Sequence, residues 1–343
     1  MPHPLGTHDG VGDYAVNLAK ILQQRYGRDT SFVSAKDVSN AASGNYHDII
    51  LHYVNYGYQK RGVPYALLRV LRQLRRRGHG RLLTIFHELY ASGWPWQSAF
   101  WLRPFQVHIA RSISRISDSC LVSSDMMARQ LRRLTPNVRV SVHPVFSNFG
   151  EPSLSQTQLA DRNPHRWVIC GGTALVERSL RSFCAIAKQI QRAFSPDELL
   201  VLGGKDNPTV RSLLSGLTGT QSEYRPQIAA EEASQILSTC SFAWLDYFHR
   251  PSVPTDALLK SSAFAALCAH SVITILPHAG STISIEADPL PGPYFVNVQR
   301  CQLPSEQDRH KIAKEIYDWY HRHASANHLV SGIAAALELN QVP

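Results

Sequence analysis

No apolar run in the 343-residue sequence approaches the roughly 18 residues needed to cross a bilayer, so no membrane-spanning helix is expected. The opening MPHPLGTHDG has no basic stretch leading into an apolar core, so no secretory leader is expected either. The six cysteines (Cys120, Cys170, Cys184, Cys240, Cys268 and Cys301) are scattered, with no CxxC pair or other close metal-ligand spacing. Most sit in apolar segments, as small core residues of a chain in a reducing cytoplasm. There is no Walker A sequence, which argues against P-loop phosphoryl transfer, and no complete GxGxxG dinucleotide fingerprint.

What is present is a positively charged chain of two-domain length. The formal net charge is +9 and 44% of residues are hydrophobic. The charge points to an acidic partner without choosing between nucleic acid, anionic lipid and a phosphorylated substrate.

The most informative stretch is RLLTIFHEL (81–89). Four apolar residues form a buried parallel strand that ends in His87 and Glu88. Open α/β sheets bind ligands beyond the carboxyl ends of their strands, so His87 is a candidate site residue. The plain alternative is a strand-end histidine tied to backbone. Further strands are expected at 31–35, 48–54, 119–124 and 138–150, with helices over 64–77, 106–115 and 125–134. GVGD (10–13) precedes a helical pattern, and Gly10 and Gly12 would allow a tight turn where free N–H groups hold a phosphate. A glycine loop of this kind normally follows a buried strand, and residues 1–9 contain none, so the first strand of this domain is expected to be missing.

The helix at 64–77 carries leucines on one face and Arg69, Arg72, Arg75, Arg76 and Arg77 on the other. Together with neighbours over 60–81 it is a solvated face or a contact with an anionic membrane surface. Nucleic acid is less well served, because the aromatic interleaving of a stacking platform is absent. Residues 90–104 are aromatic-rich, fitting a lid, an acceptor groove, a membrane-dipping segment or ordinary helix packing.

The polar, strandless stretch 151–166 reads as a linker. Beyond it, WVICGG (167–172) and ELLVLGGK (198–205) repeat one design, a buried strand running into two glycines. Gly172 and Gly204 permit close backbone approach, and Arg178 and Lys205 could neutralise a diphosphate. Strands at 241–248, 271–277 and 294–298, a helix over 254–270 and two closing helices at about 305–323 and 325–339 complete the pattern. The expectation is α/β: two Rossmann-like domains facing across a cleft, with a first domain over 1–150, a second over 151–320, and a helical segment 321–343 returning toward the first.

Several of these stretches resemble GT-B glycosyltransferases, particularly the retaining family 4 group. GVGDYAVNLAKIL (10–22) is similar to that group's opening glycine loop and helix, FHELYASG (86–93) to its strand end with an active-site histidine, and VFSNF (145–149) to the segment entering the hinge. CGG…ERS (170–179) and VLGGK (201–205) are similar to its phosphate-binding strand ends. The resemblance implies a nucleotide-sugar donor, UDP- or GDP-linked, and no metal or cofactor. It implies a glycan or lipid-linked acceptor, a role in bacterial polysaccharide assembly, and a cytoplasmic chain at the inner membrane face. It makes His87 a contact to the donor sugar and Arg178 a contact to the diphosphate. The group's two glutamates eight positions apart have no counterpart, since residues 257–285 contain no acidic residue. Glu177 is the expected substitute, and Lys260 a further phosphate contact. A catalytically weakened protein that binds nucleotide sugar or a partner glycosyltransferase is the alternative.

Overall fold

The computed structural model describes all residues except 3–9, 36, 38–46, 79, 92, 188–195, 249–252, 279–281, 292–293, 296–303 and 341–343. The chain divides into two compact units: Met1–Pro144 with Ala326–Pro343, and Val145–Ser325.

The first unit opens with α1 (Gly10–Tyr26), which buries Tyr14, Ala15, Leu18 and Leu22. Gly10–Asp13 are its first turn rather than a loop ahead of it, which corrects the expectation for GVGD. There follow β1 (Ile49–Tyr53), α2 (Tyr65–Arg76), β2 (Leu82–Phe86), α3 (Ser98–Ile116), β3 (Ser119–Val122), α4 (Asp125–Leu134) and β4 (Val140–Val142). The strands lie side by side in chain order, all parallel. Ile49 is opposite Leu82 and Tyr53 opposite Phe86. All five residues of β2 are buried, as its unbroken apolar run requires. Consecutive right-handed crossovers put α2 and α3 on one face of this sheet, where they pack together. The terminal helix α11 (Ala326–Leu337) packs on α1.

The strand expected at 31–35 and the helix start expected near 106 both fail. Residues 31–34 form no strand; the Val33 carbonyl instead accepts from the Met1 ammonium at 2.8 Å. Among the described residues no strand precedes β1, which is paired with β2 alone. A cavity of about 520 Å³ lies along its other edge, between Leu18, Ala19 and Leu22 of α1 and Leu67, Val70 and Leu74 of α2. The aromatic-rich segment is also partly helical, because α3 begins at Ser98 rather than near 106.

The second unit contains α5 (Gln156–Ala160), β5 (Arg166–Cys170), α6 (Thr173–Ala187), β6 (Glu198–Leu202), α7 (Pro208–Ser215), β7 (Gln221–Arg225), α8 (Ala230–Leu237) and β8 (Phe242–Trp244). A 3₁₀ turn (Thr255–Lys260), α9 (Ser262–Ala269), β9 (Ile273–Leu276), a small antiparallel pair β10 (Ser284–Ile285) and β11 (Asp288–Pro289), β12 (Tyr294–Phe295) and α10 (Glu306–His323) follow. The main sheet is six-stranded and parallel, in the order β12-β9-β8-β5-β6-β7.

The stretch expected to be a linker is part of this unit. Ser155 and Gln158 form a reciprocal capping box on α5. Arg162 is buried, donating to the carbonyls of Cys240, Ser271 and His270 at 3.2, 3.1 and 2.8 Å. The single helix expected over 254–270 is broken at Ser261, which is extended and caps α9 by accepting from the Phe264 N–H. Of the strand expected at 294–298, only Tyr294–Phe295 falls among the described residues, and Cys301 lies outside them. Among the described residues, no helix is long and apolar enough to cross a membrane.

Candidate functional site

Each unit presents one group of chemically capable residues at the carboxyl ends of its strands. In the first unit, His87 directly follows β2, and its N–H continues the ladder by donating to the Tyr53 carbonyl at 2.9 Å. Its Nε2 lies 3.3 Å from Nδ1 of His52, the fourth residue of β1. The two rings stack at 5.5 Å, and Tyr14 of α1 stands edge-on to both. His52 is buried, and desolvation, followed by the charge of His87, pushes its pKa well below the usual imidazole range. A neutral His52 shares a single proton with His87 across this contact, so the tautomers of the two rings are coupled. Burial also keeps the Tyr14 hydroxyl protonated. His52 and Tyr14 went unremarked in the sequence. The signal for His52 was its place beside His87 on a neighbouring parallel strand.

Gly10 and Gly12 were expected to make a phosphate-holding turn. Gly12 is instead buried in the first turn of α1, and Gly10 is exposed at its start.

In the second unit the sheet changes direction between β5 and β8: β6 and β7 extend one way from β5, and β9 and β12 the other way from β8. Such a switch point leaves a crevice beyond the strand ends, the usual ligand position in open α/β sheets. Two glycine turns, one after β5 and one after β6, lock against each other. At Gly203 (φ +92°) a Cβ would stand 2.6 Å from the Gly171 carbonyl oxygen, and at Gly204 (φ +69°) it would stand 2.7 Å from the Thr173 Cα. No other residue type fits these positions without moving backbone. Gly172 immediately precedes α6, its carbonyl accepting from the N–H groups of Leu175 and Val176. The Lys205 N–H donates to Thr173 Oγ1 at 2.8 Å, fixing the second turn to the start of that helix. The Lys205 side chain is exposed.

The remaining expected residues are placed differently. Arg178 Nε donates to the Asp246 carbonyl at 2.7 Å and Nη2 to the Tyr247 carbonyl at 3.1 Å. Two of its three nitrogens thus hold the loop after β8, leaving less of the fork for a diphosphate than expected. Glu177 accepts from Arg181 through one oxygen, at 3.0 and 2.8 Å, and from Asn207 through the other, at 2.8 Å. These hydrogen bonds lower its pKa and keep it ionised. Both oxygens are engaged in bracing α6 against the Asn207 cap of α7. Lys260 ends the 3₁₀ turn, half-buried, directly before the cap of α9.

One pair was missed. Asp246, after β8, is buried and accepts from His278 Nε2, after β9, at 2.8 Å. The Ser179 hydroxyl accepts from the Asp246 N–H, and Phe248 packs edge-on to His278. A buried carboxylate that orients an imidazole at strand ends is a common device for proton handling. Thirty-two residues separate the two, and only the parallel pairing of β8 with β9 brings them together.

No protein-family model matches the sequence, and no curated protein sequence matches it. Solved structures do. An alpha-glucosyltransferase in complex with UDP-glucose and DNA containing an abasic site is 10% identical, with 96% of each chain covered and a TM-score of 0.54. An E. coli protein of trehalose-6-phosphate synthesis bound with UDP-2-fluoro glucose is 11% identical over 90% of this chain and 78% of its own, at 0.54. The alpha,alpha-trehalose 6-phosphate synthase from Burkholderia multivorans is 13% identical over 98% and 77%, at 0.52. At these identities the likeness is one of fold: two parallel α/β units in one chain, the GT-B architecture.

Proposed function

We propose that this chain is a retaining, nucleotide-sugar-dependent glycosyltransferase. The supporting observation is the pair of interlocked glycine turns after β5 and β6, with the exposed Lys205 beside them. Breaking a sugar–diphosphate bond needs amide and cationic donors on the leaving group, and this arrangement offers both. UDP- or GDP-sugars are the proposed donors and a glycan or lipid-linked saccharide the acceptor, in polysaccharide assembly of the family 4 type. In the reaction the bond from the anomeric carbon to the diphosphate breaks, and a bond to the acceptor oxygen forms on the same face. The acceptor proton passes to the departing phosphate. His87, its ring hydrogen-bonded to His52, is the proposed contact to the reacting sugar. The chain works in the cytoplasm, against the inner face of the membrane.

Calorimetric titration with UDP-, GDP-, ADP- and dTDP-glucose tests the donor assignment. One of the first two should bind, and Lys205→Ala should weaken it by roughly tenfold, the worth of one charge-assisted contact. No heat from any donor, or an unchanged affinity in the variant, would refute the reading.

A second reading is a catalytically weakened GT-B protein that binds nucleotide sugar or a partner glycosyltransferase. The occupied carboxylate of Glu177 favours it. Donor binding without turnover, equal in wild type and His87→Ala, would select this second reading.

A further inference from the structure

Every large hydrophobic side chain found exposed among the described residues lies between Tyr56 and Phe105. They are Tyr56, Tyr65, Trp94, Trp96, Phe100, Trp101 and Phe105, and Trp96 is 77% exposed. Contiguous exposed apolar surface of this kind marks an interaction site. The same stretch concentrates the charge. Residues 54–117 hold eleven lysines and arginines against one acidic residue, Glu88, a net +10, whereas the rest of the chain sums to −1.

The aromatic segment is held in shape. The Trp94 and Trp96 rings stack at 5.3 Å, 3° from parallel. The Trp101 indole N–H donates to the Pro95 carbonyl at 2.7 Å, and the Gln97 N–H to the Trp94 carbonyl at 2.8 Å. Underneath, the buried Gln106 amide accepts from the Ala91 N–H and donates to the Arg61 carbonyl, both at 3.0 Å. The aromatics are therefore displayed on a braced turn, and three of them are tryptophans, the side chain most suited to a membrane interface.

Aromatic and basic groups are arranged in the same order on both helices. Along α2 the exposed stripe reads Tyr65, Arg69, Arg72, Arg76, and along α3 it reads Trp101, Phe105, His108, Arg111, Arg115. Tyr65 meets His108, with ring centroids 6.5 Å apart, so the stripes are neighbours. Trp101 lies seven helical steps before His108 on α3, so it projects roughly 10 Å past that meeting point. The result is an aromatic tip backed by two rows of arginine.

We propose that this tip docks on an anionic lipid bilayer, the tryptophans entering the headgroup–acyl boundary and the arginine rows meeting lipid phosphates. Aromatic area alone would suit an apolar protein partner, and charge alone would suit nucleic acid. Charge complementarity combined with an aromatic tip suits an anionic interface. The inference deepens the membrane part of the proposed function, but its test reads lipid binding, so it stands or falls separately from donor binding.

The test is flotation of the full chain with phosphatidylcholine vesicles, with and without about 30% phosphatidylglycerol, together with quenching of tryptophan emission by brominated lipid. Binding should require phosphatidylglycerol, weaken with salt, and quench emission. Replacing Arg69, Arg72 and Arg76 by glutamine should lower affinity on the order of 100-fold. Trp96→Ser with Phe105→Ser should lower it at least tenfold and remove most of the quenching. All these side chains are exposed, so unchanged circular dichroism and melting should show that the variants fold. Failure to float with anionic vesicles at low salt overturns the proposal. So does flotation without quenching, which is surface adhesion only, and so does tighter binding to a DNA duplex than to the vesicles.

Discussion

Each unit holds three tryptophans and uses them in opposite ways. In the first, Trp94, Trp96 and Trp101 are exposed; in the second, Trp167, Trp244 and Trp319 are buried, each at most 2% accessible. Charge follows the same division. The first unit has nineteen lysines and arginines against nine acidic residues, the second sixteen against seventeen. The sheets differ as well, four strands with a cavity along β1 against six strands in the main sheet of the second unit. The second unit is built to hold its shape around a switch point. The first spends aromatic and basic residues on its surface and has a cavity beside β1.

The sharpest way to test this contrast is through buried arginine. Arg162 serves three carbonyls at the base of the second unit, and burial lowers its pKa to about 10. Arg162→Met leaves those carbonyls without a donor and should cost about 3–4 kcal/mol. Because all three buried tryptophans lie in this unit, the loss should be read as an early red shift of emission in urea. Arg72→Gln, on an exposed stripe of the first unit, should change stability by less than about 0.5 kcal/mol. Equal effects would erase the distinction.

The sequence reveals those parts of this contrast that depend on local pattern. β1, β2, β5, β6 and β9 are continuous apolar runs and show themselves directly. β7 is missed because QSEYR is a polar edge strand, half-exposed, with no apolar period to detect. The break at Ser261 depends on a side-chain cap competing with helix continuation. Among candidate site residues, His87 and the double glycines are legible because strand ends carry a positional rule. His52 and the Asp246–His278 pair are not, because each needs the register between two strands. Arg178 and Glu177 have the right chemistry for the expected roles, but Arg178 is drawn to the distant carbonyls of Asp246 and Tyr247, which spacing does not reveal, and Glu177 to Asn207 as well as to its i,i+4 neighbour Arg181.

Acid sensitivity gives a second, smaller test. His270, fully buried in the second unit, donates from Nδ1 to the Ala266 carbonyl, so its Nε2 accepts from the Ser234 hydroxyl. Burial lowers its pKa from 6.5 to about 4. Below pH 6.5 the unfolded chain takes up a proton that the native chain refuses. Stability should therefore fall from about pH 6.5 toward pH 4, by up to about 3 kcal/mol, and level off beneath. His270→Gln should flatten that slope in urea titrations across the window. The residual slope belongs to His52 in the first unit and His321 in the second, whose pKa values burial also lowers. A full slope in the variant would mean that His270 does not contribute to the second unit's acid sensitivity.

The smallest effect should have opposite signs in the two units. Ala19 of α1 faces the cavity beside β1, whereas Ala265 of α9 lies in a helix buried on every side. Ala19→Leu places apolar atoms in open space and should stabilise by about 0.5–2 kcal/mol. Ala265→Leu forces the same atoms into a filled interior and should cost about 1–3 kcal/mol. Guanidinium midpoints read both changes, and the sign carries the argument. If Ala19→Leu also lowers the midpoint, the space beside β1 closes in solution, and the first unit is packed as tightly as the second. If it raises the midpoint, the open edge of β1 is a genuine deficit of packing, and the exposed aromatics next in the chain belong to the unit least able to bury them.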